Sequence, residues 1–378
     1  MFHVSIRPLW TISDARGRSL GEHVVALLVQ VSERGSLAAA CEAVGVSYRH
    51  AWQLLREAEG LFGQPLLTMS RGRGSQLAPL GERLVWAHHR VQARLSPMLD
   101  SLSSELAAEI GKALAPDPGR LRIHASHGFA VQALKDFMDR AGLAHELKYC
   151  GGAEALEALT AGQCDVAGVH VPIGPFEAAA VAHHRRWLDP QRQRVIRLAT
   201  RRQGLITRPG NPKKIFGIAD LARPDVRFIN RQAGSGTRFL LDLMLAEAGI
   251  DAAAVHGYEQ CEFTHAAVAA FVASGMADVG MGVEVPAREF RLDFTPIQQE
   301  RYFLVCHADR LESVAVQQLL AILTSADFRA AIDRLPGYAA DELGQVQAIA
   351  EVLPGLLPRR TAAAGLRPGR RRGAAAAS

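Results

Sequence analysis

The segment Ala115-Pro116-Asp117-Pro118-Gly119 constrains this 378-residue chain more than any other feature. Two prolines at this spacing remove backbone N–H donors and fix φ, so neither a helix nor a strand interior passes through them. Before the break, short mixed elements lead into a long helical pattern. After it, short β-branched strands alternate with helices, which predicts βαβ units and a mainly parallel sheet. The chain is therefore predicted to hold at least two folded units.

The predicted organisation is α+β overall and has four parts. Residues 1–80 form a small domain of short mixed elements, and residues 81–114 form a long linker helix. Residues 119–345 form an α/β domain. Residues 357–378 are rich in Arg, Ala, Gly and Pro and are predicted to be a disordered basic tail.

The positive charge is concentrated in two places. The net charge is +2 over residues 1–115, −3 over 116–354 and +6 over 355–378, so the high pI is mostly an effect of the tail. That tail either adds nonspecific DNA affinity or is a solvated extension. Residues 49–94 contain seven arginines and only three acidic residues, so phosphate contacts are expected in this segment.

Cysteine spacing and hydropathy exclude several classes of protein. The five cysteines form no CxxC pair, which excludes zinc ribbons and disulfide scaffolds. No apolar run approaches the roughly 20 residues that span a bilayer, and the start lacks the features of a signal peptide. We therefore expect a cytoplasmic protein with no membrane partner.

Residues 36–62 have the pattern of a helix-turn-helix. Ser36 is placed to cap a helix that runs to Val44, Gly45 supplies the turn, and Ser47 caps the second helix. The first turns of a recognition helix meet base edges and phosphates. The predicted DNA-binding residues of these two helices are Ser36, Ser47, Tyr48, Arg49, His50 and Gln53.

A Gly/Arg-rich hairpin pattern follows the second helix. Apolar segments on either side of residues 71–74 predict two short strands, and Arg71 and Arg73 at the tip suit contact with the DNA backbone or minor groove. The hairpin would be the wing of a winged helix-turn-helix. The alternative is a small helical bundle with a solvated arginine hairpin.

The linker helix carries apolar residues at mostly three- and four-residue steps, typical of a dimer seam. The predicted dimerisation residues are Leu84, Val91, Leu95, Met98, Leu102 and Leu106. We expect Pro97 to kink the helix or end its first half. A homodimer or homotetramer would present pairs of recognition helices to double-stranded operator DNA. The alternative is that the helix packs on its own domain.

Residues 20–114 resemble the DNA-binding half of LysR-type regulators and, more closely, the N-terminal domain of ModE-like molybdate-responsive regulators. The resemblance rests on motifs in the same order. These are residues 35–40 (GSLAAA), 47–52 (SYRHAW), 71–74 (RGRG) and 77–81 (LAPLG).

Small polar residues stand at strand-to-helix junctions of the α/β region. Ligands of such sheets bind beyond the strand ends, where helix N-termini favour negative charge. The predicted contacts to a small anion from two of these junctions are Ser126, Ser235, Gly236, Thr237 and Arg238. The alternative is an ordinary glycine-rich start of a helix.

Known catalytic motifs do not fit this region. Residues 234–238 (GSGTR) match neither the phosphate loop of nucleotide hydrolases nor a nucleophile elbow. We therefore expect no catalytic residue and no cofactor. An enzyme acting on a small anionic substrate in the same cleft is the remote alternative.

Three histidines are predicted to face the cleft: His127, His170 and His265. An imidazole there can donate to an anion, and its pKa then couples affinity to pH. Three convergent histidines can also bind a metal, but no carboxylate or thiolate stands at a supporting spacing. We therefore predict ligand contact and no metal site.

Residues 120–345 resemble the periplasmic-binding-protein-like domain of molybdate-binding proteins. The features include 125–127 (ASH), Gly151-Gly152, which adds Gly152 to the expected ligand contacts, and 230–238 (NRQAGSGTR). The resemblance implies a type II fold of two lobes, 119–196 with 295–345 and 200–290, closing on a ligand. It also implies a regulator whose effector is molybdate or tungstate. The alternative effector is a small organic acid such as formate, and a periplasmic transport receptor is a weaker alternative.

Overall fold

A computed structural model describes residues 4–70, 74–114, 119–353 and 356. Its N-terminal domain confirms the winged helix-turn-helix. The elements are α1 (Glu22–Arg34), α2 (Leu37–Val44), α3 (Tyr48–Phe62), β1 (Leu67–Ser70) and β2 (Gly74–Leu77). The two strands pair antiparallel. Residues 115–118 of the Pro/Gly break and the tail 357–378 lie outside the described residues.

Local chemistry explains the two helices of the motif. The Ser36 hydroxyl accepts a hydrogen bond from the Ala39 N–H at 3.2 Å, and Ser47 does the same for His50 at 3.2 Å. Each serine satisfies an amide that lacks a partner within the helix. Gly45 ends α2 at φ +76°, in the left-handed region that glycine adopts without strain.

A single helix, α4 (Pro79–Leu114), follows the wing and is 36 residues long. Pro97 does not end it, contrary to one of the two expected effects. Its first turns pack on the N-terminal domain. The rest of the helix lies against the α/β domain, contacting strand β4 and helix α9, whose bounds follow.

The α/β domain contains ten strands and nine helices among the described residues. The strands are β3 (Leu121–Ala125), β4 (His145–Tyr149), β5 (Val166–Pro172), β6 (Gln193–Thr207), β7 (Phe228–Arg231), β8 (Cys261–Glu262), β9 (Val279–Val283), β10 (Asp293–His307), β11 (Tyr338–Ala339) and β12 (Val346–Ala348). The helices are α5 (Phe129–Ala141), α6 (Gly152–Thr160), α7 (Glu177–His184), α8 (Gly236–Glu247), α9 (His265–Ala273), α10 (Glu284–Glu289), α11 (Val314–Leu323), α12 (Ala326–Asp333) and α13 (Ile349–Val352).

The strand order is β4-β3-β5-β10-β6-β9-β7-β8. Neighbours within β4-β3-β5 and within β9-β7-β8 are parallel, which gives each lobe a small parallel sheet. The 15-residue strands β6 and β10 cross from one lobe to the other and pair antiparallel. The sheet is therefore mixed rather than mainly parallel, because both crossovers between the lobes are strands.

Lobe 1 extends beyond its predicted end at residue 345. Strand β12 pairs with β6. Ile349, Val352 and Leu356 pack into the same apolar cluster as α6 and β5. This segment adds a strand and apolar side chains to lobe 1.

Candidate functional site

The first turns of α3 are exposed, as a DNA-contacting surface requires. Tyr48, Arg49, His50 and Gln53 all reach solvent on one part of the helix, while Ala51 and the next apolar turns are buried. Ser36 and Ser47 serve as helix caps, so their hydroxyl oxygens already accept a hydrogen bond. Arg71 and Arg73 lie outside the described residues.

The predicted dimer seam separates into unlike parts. Leu84 is 7% exposed in the apolar core of the N-terminal domain, so the structure corrects its assignment to the seam. Val91 and Leu95 are half-buried. Met98, Leu102 and Leu106 are exposed. Leu95, Met98 and Leu102 also line the cleft described below, which the sequence pattern did not indicate.

Because of Pro97, one carbonyl of α4 has no donor within the helix, and a side chain of lobe 2 donates a hydrogen bond to it. A proline has no N–H, so the Ala93 carbonyl four residues earlier lacks its helical donor. The Thr264 hydroxyl donates to that carbonyl at 2.8 Å, and the same oxygen caps α9 by accepting from the Ala267 N–H at 3.0 Å. The proline thereby creates an attachment point for lobe 2 on α4.

Two arginines reinforce this contact. Glu262, 1% exposed, pairs with Arg90 at 3.1 Å and with Arg94 at 3.8 Å. Arg90 also lies 4.8 Å from the ring centroid of Phe271. A buried carboxylate needs such compensation, so these arginines anchor α4 to lobe 2.

Lobe 1 binds the same helix through its edge strand. The amide of Leu147 donates to the Ser104 hydroxyl at 2.7 Å, and the amide of Tyr149 donates to Ser101 at 3.0 Å. An edge strand otherwise leaves such groups unpaired. Helix α4 therefore contacts both lobes as well as the N-terminal domain.

A cavity of about 1080 Å³ lies between the lobes. Most of the predicted ligand contacts line it together. These are Ser126, His127, His170, Ser235, Gly236, Thr237 and His265. Helices α6, α8 and α9 begin at this cavity, and α5 begins two residues after His127. The cavity thus combines helix N-termini with small polar side chains, as an anion site requires.

Two predicted contacts are corrected. Arg238 points away from the cavity and pairs with Glu259 at 3.6 Å while stacking over Tyr258. The Cα of Gly152 faces β5, where a Cβ would meet Val169 at 3.5 Å, and the neighbouring Gly151 lines the cavity instead.

Two arginines that the sequence analysis missed lie in the cavity wall. Arg201 pairs with Glu300 at 2.9 Å, and both side chains are at most 4% exposed. Arg231 is 6% exposed, and no carboxylate among the described residues lies within 4 Å of it. Its hydrogen bonds go to neutral acceptors, the Phe263 carbonyl at 3.0 Å and the Gln232 amide oxygen at 3.1 Å.

Burial of Arg231 lowers its pKa to about 9, and the positive charge of Arg201 lowers it further in the same direction. The guanidinium remains charged at neutral pH. A buried cation without a counterion is costly, and a bound anion would remove that cost.

Burial also keeps the three cleft histidines neutral, because it disfavours the charged form of the ring. Burial lowers the pKa of His127 to about 4 and those of His170 and His265 well below the usual value, and nearby Arg231 contributes to each shift. Ser126 donates to the Tyr302 hydroxyl at 3.4 Å and lies 3.3 Å from Nδ1 of His170. The Nε2 atom of His170 is buried with no hydrogen-bond partner in the described part of the chain.

The two lobes touch at the mouth of this cavity. A Cβ built on Gly151 of lobe 1 would stand 2.8 Å from the Gly234 carbonyl of lobe 2. Phe239 of α8 packs against the apolar cluster of lobe 1, and Phe176 packs against that of lobe 2. The structure therefore has the lobes in contact, and only glycine fits at position 151 in this arrangement.

The described residues offer neither a metal site nor a membrane-spanning helix. They contain no group of three or more His, Cys, Asp or Glu side chains that could hold a metal ion. No helix in these ranges is long and apolar enough to cross a membrane.

Two family models match separate parts of the chain. Residues 23–82 match the bacterial regulatory helix-turn-helix proteins of the lysR family. Residues 134–324, half of the chain, match the PBP superfamily domain. The chain therefore belongs to the PBP superfamily and carries a lysR-family regulatory helix-turn-helix at its N-terminal end. These matches support a regulator rather than an enzyme.

Individual relatives are less informative. The chain is 35% identical over 202 residues to the uncharacterised protein YvgK of Bacillus subtilis, covering 53% of this chain and 64% of YvgK, less than two thirds of its length. It is 31% identical over 99 residues to the molybdenum-pterin-binding protein MopB of Rhodobacter capsulatus, covering 25% of this chain and 37% of MopB.

A solved structure of Corynebacterium glutamicum OxyR aligns with a TM-score of 0.41 at 15% identity, covering 82% of this chain and 92% of that one.

Proposed function

We propose that this chain is a one-component DNA-binding transcription regulator whose two-lobed domain senses a small oxyanion. The observation that carries the proposal is Arg231, a buried guanidinium with no carboxylate partner among the described residues, in the wall of a cavity between two lobes. The exposed face of α3 supplies the surface for operator DNA.

Molybdate and tungstate are the first candidates for the effector. The cavity presents hydroxyls, helix N-termini and a free positive charge, which suit a tetrahedral oxyanion. The partial likeness to a protein named as molybdenum-pterin-binding supports the same choice. The second candidate is the carboxylate of a small organic acid such as formate, which the same donors can bind.

The coupling runs through α4. A ligand held by both lobes favours the arrangement in which they are closed, and it shifts the equilibrium only by its difference in affinity for the two states. Since α4 is attached to lobe 1 at Ser101 and Ser104 and to lobe 2 at Ala93, lobe movement changes the position of the helix. In a dimer this would re-aim two recognition helices relative to their half-sites.

A thermal melt of the full chain tests the sensor part of the proposal. The additives are molybdate, tungstate, sulfate, phosphate and formate. A ligand at 100 times its Kd adds about 2.7 kcal/mol of native stability, enough to raise the Tm by a few degrees. A shift with molybdate and tungstate but not sulfate supports a metal-oxyanion sensor. A shift with formate alone assigns the site to carboxylates, and a flat response to every anion contradicts the proposal.

A further inference from the structure

The cavity between the lobes has two unlike ends. Its inner end is cationic and polar, with Arg231, Arg201 and Ser126. Its outer end is lined by three apolar side chains of α4, Leu95, Met98 and Leu102, with Phe263 of lobe 2 nearby. The charged side chains of the lining outside the inner end are Arg94, Glu105, Glu109, Glu146, Lys148 and Glu154. Outside the inner end, the lining cations Arg94 and Lys148 are paired with Glu262 and Glu154. The cation that lacks a carboxylate partner, Arg231, therefore lies in one part of a larger space.

The cavity is also much larger than an inorganic oxyanion requires. A tetrahedral oxyanion displaces on the order of four waters, roughly 120 Å³ at about 30 Å³ each. The cavity holds about 1080 Å³, the size typical of sites for organic ligands. An inorganic oxyanion would fill only the inner end.

The outer end also exposes apolar surface. Met98 is 57% exposed, Leu102 is 43% exposed and Phe263 is 44% exposed. Covering such apolar side chains with another apolar group removes their surface from water and is favourable in free energy. Because this surface is continuous with the cationic end of the same cavity, the group that covers it can belong to the same molecule as the anion.

We infer that helix α4 is part of the effector site, where Leu95, Met98 and Leu102 hold a non-polar group of about the size of a six-membered ring attached to the anionic head bound at Arg231. This inference rests on the proposed function, because it needs an anion at Arg231. It makes the linker to the DNA-binding domain a direct contact of the effector.

The test compares anions that share a head group and differ in the apolar part. The probes are formate and benzoate, with methylphosphonate and phenylphosphonate as the tetrahedral pair and molybdate as the inorganic reference. Binding to the full chain is measured by calorimetric titration. Six ring atoms at about 0.3 kcal/mol each correspond to roughly a 20-fold gain, so we expect the ring-bearing probe of at least one pair to bind at least tenfold more tightly.

Two variants locate the ring, and a third is the matched control. Met98→Ser and Leu102→Ser should each remove most of the gain from the ring while leaving the small anion's affinity unchanged. Leu106→Ser changes a side chain of the same apolar stripe, 47% exposed, that does not line the cavity, and it should keep the gain. The melting temperature of each ligand-free variant verifies that it folds.

The outcomes separate this inference from the proposed function. Equal affinity for small and ring-bearing anions, with molybdate or formate still bound, overturns the inference and leaves the sensor standing. Binding of no anion at all removes both. If all three variants lose the gain equally and convert a dimer into a monomer, a second copy of α4 covers this face, which also overturns the inference.

Discussion

Arg49 on the recognition helix lies exposed to solvent, whereas Arg231 in the cleft is 6% exposed. Both are expected to bind anions, but the desolvation free energy of the charged side chain is small for Arg49 and large for Arg231. An exposed arginine keeps its hydration, so its contacts with phosphates are weak one by one and screened by salt. A buried arginine without a carboxylate has given up its hydration before any ligand arrives.

The comparison separates two kinds of anion recognition within one chain. The surface of α3 suits a polyanion, where many weak contacts add up and base edges supply specificity. The cleft suits one small anion, which gains a charge-assisted hydrogen bond from a guanidinium that is already buried. Substitutions in the two regions should therefore differ in size, in salt dependence and in their effect on stability.

The largest expected effect is that of Arg231→Gln. Loss of a charged hydrogen bond of about 1.5–3 kcal/mol weakens anion binding by roughly 10- to 150-fold, while the ligand-free Tm stays equal or rises because an unpaired buried charge is removed. Calorimetric titration and a thermal melt measure the two quantities.

Arg201→Gln is the matched variant. It leaves Glu300 buried without its cation and should cost about 3–5 kcal/mol of stability. If Arg231→Gln destabilises the protein as much as Arg201→Gln does, Arg231 has a structural role and the comparison fails.

The second largest expected effect is a loss of folding stability of the sensor domain at low pH. Burial lowers the pKa values of His127 and His184 to about 4. The folded state thus keeps them neutral while the unfolded chain takes up protons below about pH 6.5. Stability is therefore full above pH 6.5 and falls as the pH drops towards 4, by at most about 3 kcal/mol for each histidine.

Urea midpoints at pH 7.5, 6 and 5 measure this slope. His127→Gln should make the slope smaller, because that variant has one fewer group to protonate on unfolding. A midpoint that does not change between pH 7.5 and 5 contradicts the neutral, buried state of these rings.

Arg49→Ala should affect DNA alone. If the arginine contacts a base edge, the free energy of operator binding weakens by about 1–3 kcal/mol. If it binds a phosphate, the slope of log K against log salt concentration decreases in magnitude by about 1. The thermal shift with the effector should not change.

A gel shift at several salt concentrations measures both effects of Arg49→Ala. Arg185→Ala, an exposed arginine of lobe 1, carries the same charge change and is the control. Equal losses in the two variants would mean that net charge, and not the recognition helix, sets the affinity.

The smallest effect is expected where the two regions are joined. Thr264→Val keeps the packing of this 2% exposed side chain but removes the donor to Ala93 and the cap of α9, at a cost of about 1 kcal/mol. It should also reduce the effect of the anion on operator affinity. Thr264→Ser retains the hydroxyl and should behave as wild type, and identical coupling in all three proteins would show that this attachment transmits nothing.

The sequence was sufficient for features that depend on neighbouring residues. Ser36 and Ser47 cap the helices that they precede, as their residue type and position predict. Ser126, His170 and Thr237 could be placed in one cleft because strand ends of a parallel sheet meet at one edge.

Features set by distant parts of the chain were missed. Arg231 ends a strand, where an arginine is usually solvated, and it is buried with the Phe263 carbonyl from a later segment as one of its partners. Arg238 seemed better placed at the start of a helix, yet its side chain leaves the cavity for Glu259. Leu84 follows the spacing of the seam but lies in the core of the N-terminal domain, because the apolar stripe of a long helix changes partner along its length.

The most direct test of the account is the operator affinity of the full chain with and without a saturating anion. The anion is the one that gives the largest thermal shift, and the comparison is repeated with Arg231→Gln. We predict a change of about 5- to 150-fold in wild-type protein, which corresponds to a coupling free energy of 1–3 kcal/mol. At the same anion concentration the change should be smaller in the variant, whose site binds the anion more weakly. An operator affinity that is the same with and without the bound anion in the wild-type protein would contradict the account, because the cleft would then have no connection to DNA binding.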